Sequence, residues 1–70
     1  MREYNYAKLL GRMRERGLTQ AEIARRIGRN AATISRKLHH IGYFTQTEIS
    51  KLCEILQIAD GEIGDYFFAQ

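Results

Sequence analysis

The chain reads as an all-α domain of five helices, and three observations lead there. Apolar residues recur at i, i+3, i+4 and i+7 in separate stretches, the spacing of one buried helical face. Two Thr-x-x-Glu segments, Thr19–Glu22 and Thr45–Glu48, have the form of capping boxes, in which each side chain satisfies a backbone donor at a helix start. Pro is absent, and the six Gly fall at apparent helix boundaries and turns. Seventy residues make a single domain spanning residues 1–70. At this size only ~60% of the unfolded surface is buried, so one small core must serve every helix.

Tyr6, Leu9, Leu10 and Met13 define the first helix, from about Asn5 to Arg16, with Gly17 as its C-terminal cap. Arg12, Arg14 and Arg16 near its end complement the helix dipole or meet phosphate; the two readings are open. Thr19 and Glu22 start the second helix, with Leu18 and Ile23 placed as a hydrophobic staple. Ile23, Ala24 and Ile27 form its apolar face, and Gly28 can end it in the left-handed conformation. Asn30 can cap a third helix whose buried edge is Ile34 and Leu38. Two short helices joined by so tight a turn must cross steeply, which is the geometry of a helix-turn-helix over about residues 19–38. The loop that follows is expected to tuck Ile41 and Phe44 beneath it. Thr45 and Glu48 open a fourth helix carrying Ile49, Leu52, Cys53 and Leu56 to about Gln57. Asp60 is expected to cap a short fifth helix with Ile63, Tyr66 and Phe67 on one side.

Charge is divided unevenly. Residues 1–40 hold ten Lys and Arg against three acids, a net +7; residues 41–70 hold one base against five acids, a net −4. A basic half coinciding with the motif suggests one face turned to a polyanion, though a soluble helical protein also carries surface charge. No apolar run approaches the ~20 residues of a membrane span, and no signal peptide is evident. Cys53 is the single cysteine, so no intrachain disulfide is expected, in keeping with a reducing cytosol.

The stretch TQAEIARRIGRNAATISRKL, from Thr19 to Leu38, resembles the helix-turn-helix of temperate-phage Cro proteins and repressors of the lambda-repressor-like family. Counting from Gln20, that family has Ala fifth, Gly ninth and a β-branched aliphatic fifteenth; here these are Ala24, Gly28 and Ile34. Gln20 matches the polar residue opening the first motif helix. The order of helices extends the resemblance loosely over nearly the whole chain. Two positions depart. Arg29 stands where an apolar residue is common, and Lys37 where the next aliphatic is usual; Leu38 can take the latter role.

With Ile34 and Leu38 inward, Ala32 and Arg36 point most directly outward, flanked by Thr33, His39 and His40. Arg36 could bond guanine bidentately, meet phosphate or stand free, and methyls of Ala31, Ala32 and Thr33 could pack on thymine. For Ala31 and Ala32, plain helix propensity explains the residues equally well. The resemblance implies that the first turn of the third helix enters the groove end-on, bringing Ala31 and Asn30 to DNA. It also implies phosphate contacts from Gln20 and from the segment after the third helix: His39, His40, Tyr43 and Thr45. Arg29, Asn30 and Lys37 complete the phosphate candidates.

No catalytic set, glycine-rich phosphate loop or metal site can be assembled. Adjacent His39 and His40 point apart, and Cys53 belongs to an apolar stripe. Neither a cofactor nor a small-molecule ligand is expected. Tyr66, Phe67 and Phe68 are consecutive, so one face cannot bury all three; Phe68 and Tyr66 are candidates for a dimer interface, with a folded-back lid as the other explanation. The expected function is that of a Cro-like transcription regulator, a homodimer formed on or off DNA that reads a pseudo-palindromic operator through the major groove. The alternatives are the DNA-binding antitoxin of a toxin–antitoxin pair and a protein-binding adaptor on the same fold.

Overall fold

The structure, a computed structural model, describes residues 4–70. It contains five α-helices: α1 (Ala7–Glu15), α2 (Gln20–Ile27), α3 (Ala31–Leu38), α4 (Gln46–Leu56) and α5 (Ile63–Phe67). A single 3₁₀ turn, Asp60–Glu62, leads into α5, and there is no strand among the described residues.

The helix starts follow their local chemistry. Thr19 and Glu22 close a reciprocal capping box, as do Thr45 and Glu48. Asn30 Oδ1 accepts from the Thr33 amide at 2.8 Å and caps α3. At the end of α2, Gly28 takes φ 77 and a Schellman closure follows: the Arg29 amide donates to Ala24 O and the Gly28 amide to Arg25 O. This compact reversal leaves only Gly28, Arg29 and Asn30 between α2 and α3. His40 (φ 70) ends α3 and Gln57 (φ 55) ends α4 in the same left-handed region without being glycine, a strain of about 1 kcal/mol each.

One cluster holds every helix. Leu9 and Met13 of α1, Ile23, Ala24 and Ile27 of α2, Ile34 and Leu38 of α3, and Leu52 and Leu56 of α4 are buried together. Tyr6, Phe44, Ile58, Tyr66 and Phe67 close it. Phe44 stands edge-on to Tyr6 and Phe67, with ring centroids 5.5 and 5.8 Å away. The chain ends are tied by the Asn5 amide donating to Ala69 O at 2.6 Å.

Several local expectations are corrected. The first helix begins at Ala7, because Asn5 Oδ1 takes the Ala7 amide and uses Asn5 as a turn residue. Ile41 is not tucked under; it is 62% exposed, because the reversal at His40 bonds its amide to Arg36 O and leaves its side chain outside. Asp60 is the first residue of the 3₁₀ turn, not a cap, and Ala59 precedes it in extended backbone. Glycine is not confined to boundaries: Gly11 lies inside α1 and Gly64 inside α5.

Gly11 has nothing within 4 Å of where a Cβ would stand, and its backbone is helical. Gly11→Ala is therefore expected to stabilise the fold by about 0.5–1 kcal/mol. A thermal melt would show a midpoint several degrees higher; a lower midpoint would mean that α1 needs the bare backbone there.

Candidate interaction surfaces

Around α3 the structure separates residues that face outward from those held by the fold. Ala31, Ala32 and Arg36 are exposed along one side of α3. Thr33 is half-buried, and its hydroxyl donates to Asn30 Oδ1 at 2.9 Å, so both residues are engaged in the cap. Gln20 is half-buried at the first turn of α2. His39 Nδ1 lies 2.7 Å from Ser35 O, which requires that nitrogen to carry the proton. His40 stacks on Tyr6 at 5.6 Å, and Thr45 is exposed while its hydroxyl oxygen accepts from the Glu48 amide.

Arg29 and Lys37 have a different use from the phosphate contact expected of them. Both converge on Glu48, which is only 2% exposed at the first turn of α4. Lys37 Nζ lies 2.6 Å from Glu48 Oε1, and Arg29 Nε lies 3.1 Å from Oε2. The Thr45 amide also donates to Oε1 at 2.8 Å. Burial pushes the Glu48 carboxyl up, but the Lys37 hydrogen bond and the Thr45 amide outweigh it and hold the group below the ordinary carboxylate range. Lys37, with a side chain 16% exposed, is withdrawn from the surface; Arg29, at 52%, is only partly so. Two cations at positions that are apolar in the resembled family are thus explained by one buried acid on another helix.

Arg12 is likewise claimed by the fold. Its Nε donates to Leu56 O at 2.8 Å and its Nη2 to Gln57 O at 3.1 Å, satisfying carbonyls at the end of α4. Arg14, Arg16, Arg25 and Arg26 are exposed. The pairing of Glu48 with Lys37 and Arg29, and the bonds of Arg12 to the end of α4, escape sequence reasoning, although charges at usually apolar positions were a usable signal for the first.

A second surface is apolar. Tyr43 is 67% and Phe68 49% exposed, and with Ile41 they are the large hydrophobic residues left in solvent among the described residues. Tyr4 joins two of them edge-on, 6.0 Å from Tyr43 and 5.4 Å from Phe68. Tyr43, expected at phosphate, therefore belongs to an aromatic face. Tyr66 is not available to an interface: it is buried, with Lys8 Nζ 4.9 Å over its ring. The α5 helix packs against α1 and directs Tyr66 and Phe67 inward, leaving Phe68 outside.

Cys53 is partly buried, and burial together with Asp60 pushes its thiol up, favouring the protonated form. Among the described residues no group of three His, Cys, Asp or Glu is arranged to hold a metal ion, and no helix is long and apolar enough to cross a membrane.

No curated protein matches the chain. Among solved structures it is similar to the modulator of repression (MOR) of the temperate bacteriophage TP901-1 from Lactococcus lactis, with 34% identity and a TM-score of 0.77, over 93% of this chain and 88% of that one. The model of the family described as "Protein of unknown function (DUF739)" matches residues 2–70, and the chain belongs to that family.

Proposed function

We propose that this protein is a temperate-phage regulator that modulates repression by binding a partner protein, the phage repressor. The observation that carries this reading is the aromatic face. Tyr43 and Phe68, bridged by Tyr4, stand largely in water on a 70-residue domain that had every reason to bury them. Aromatic side chains of this kind anchor protein interfaces, where they supply large contact area at low entropic cost. The likeness to a modulator of repression supports the same direction. So does the internal engagement of Lys37 and, in part, Arg29, which leaves Arg36 as the one cation of α3 without a carboxylate partner among the described residues.

A second reading, major-groove DNA binding by α3, is favoured by the exposed row of Ala31, Ala32 and Arg36 beside exposed Arg25 and Arg26. Calorimetry with the repressor encoded in the same phage genome, run beside anisotropy with operator duplex, separates the two. The first reading expects repressor binding that Tyr43→Ala/Phe68→Ala weakens by tenfold or more with an unchanged circular dichroism spectrum. The second expects duplex binding whose log affinity falls by ~0.9 per phosphate contact against log salt. Tight duplex binding with no repressor binding would overturn the first.

A further inference from the structure

A groove runs along one flank of α4 and faces the 3₁₀ turn and α5. Its wider end, a cavity of about 460 Å³, is lined by Phe44, Gln46, Ile49, Ser50, Ile63 and Phe68. Its narrower end, about 320 Å³, continues over Ser50 and Ile63 to Cys53, Glu54, Ile58 and Asp60. The two ends of this trough adjoin at Ser50 and Ile63; the wider is largely apolar and the narrower carries the acids Glu54 and Asp60. Phe68 belongs both to this trough and to the aromatic face with Tyr4.

The charged residues lining the trough, Glu54 and Asp60, are both acids. Glu54, Asp60 and Glu62 are exposed, and Glu48, the other acid of α4 besides Glu54, is neutralised inside the fold. Lys51 is the one base in residues 41–70; helix geometry places it about 160° from Ile49 and Cys53 but only about 60° from Glu54, so it borders the rim, where the balance stays acidic with Glu54, Asp60 and Glu62 against one base. An apolar floor with a net acidic rim favours an occupant with the complementary pattern.

We infer that this trough takes an amphipathic helix of a partner protein, with apolar side chains seated on Ile49, Ile63 and Phe68 and Lys or Arg side chains meeting Glu54 and Asp60. The inference rests on the protein-binding reading above and names the chemistry of its partner. Helix-in-groove recognition reads apolar anchors at i, i+3, i+4 and i+7, and here flanking charge sets the orientation. A second copy of this chain is a poorer occupant. Its basic half would dock on the acidic half of its neighbour, a head-to-tail contact that does not close into a dimer.

The test is an amide-resonance titration of the intact chain with a stapled helix carrying leucines at i, i+3, i+4 and i+7 and flanking lysines, beside the same helix with flanking glutamates. The lysine helix is expected to shift Ile49, Cys53, Ile63 and Phe68, to bind at least tenfold more tightly than the glutamate helix, and to lose about tenfold on Glu54→Lys. Glu54 is exposed and makes no bond that the fold needs, so this variant is expected to melt within a few degrees of the parent. Equal binding of both helices, no shift in the trough, or self-association through it in sedimentation would overturn the inference. The repressor supplies the separate arm. If it binds but perturbs only other surfaces, the trough inference fails and the protein-binding reading stands. If it does not bind while the lysine helix does, the trough stands and the repressor reading fails.

Discussion

Replacing Glu48 with alanine is expected to lower stability by about 3 kcal/mol, near the bottom of the 3–5 kcal/mol typical when one member of a buried ion pair is removed. Lys37 would be left with an ammonium group in a largely closed site and no acceptor. Its flexible stem can carry the charge part of the way to water, and Arg29 is already half in solvent, which is why the lower figure applies. The capping box of α4 is lost in the same substitution. Urea titration would read the effect as a shifted midpoint at constant slope. The double variant Lys37→Met/Glu48→Met should recover most of the loss, since a well-packed apolar pair can replace a buried ion pair at little expense. If the double variant is as unstable as Glu48→Ala, the geometry of the triad, not its charge balance, holds α3 to α4.

The same group gives a pH dependence. Glu48 is held below the ordinary carboxylate range in the folded state, so its contribution is complete above that range. It is lost as pH falls through the depressed folded value. Acid unfolding should therefore be steeper for the parent than for Glu48→Gln, which lacks the titrating group. Parallel curves would show that other carboxylates dominate acid unfolding.

Phe67→Ala should be the more damaging of two neighbouring aromatic truncations, with an expected loss of about 3–5 kcal/mol. Phe67 is 1% exposed, and its ring contacts Phe44 in the centre of the aromatic part of the core. Phe68→Ala should cost about 1 kcal/mol or less, because Phe68 is half in water and loses chiefly its edge contact with Tyr4. For a domain of this length about 1 kcal/mol corresponds to 4–8 °C, so thermal melts separate the two variants. A large drop for Phe68→Ala would identify it as a lid on the core and remove it from the proposed interface.

Local chemistry was legible because its partners are close in sequence. Thr19 with Glu22 and Thr45 with Glu48 lie three residues apart, and a helix start is the conformation that satisfies both members. The spacing of Ile23, Ala24 and Ile27, and of Ile34 and Leu38, fixed which face of each motif helix turns inward. Five helices in this order, with Gly28 reversing the chain, followed from the residues alone.

What each charged residue does was decided only in three dimensions. Arg29 and Lys37 look like surface cations until Glu48, 19 and 11 residues away, is brought between them by the packing of α2 and α3 against α4. Arg12 meets its carbonyl partners across 44 and 45 residues. The fate of the three C-terminal aromatics was equally tertiary, because the way α5 lies on α1 settles which of them faces the core. Helical periodicity states that some side must be buried, whereas long-range electrostatic pairing and the roll of a short helix depend on neighbours that no local pattern encodes.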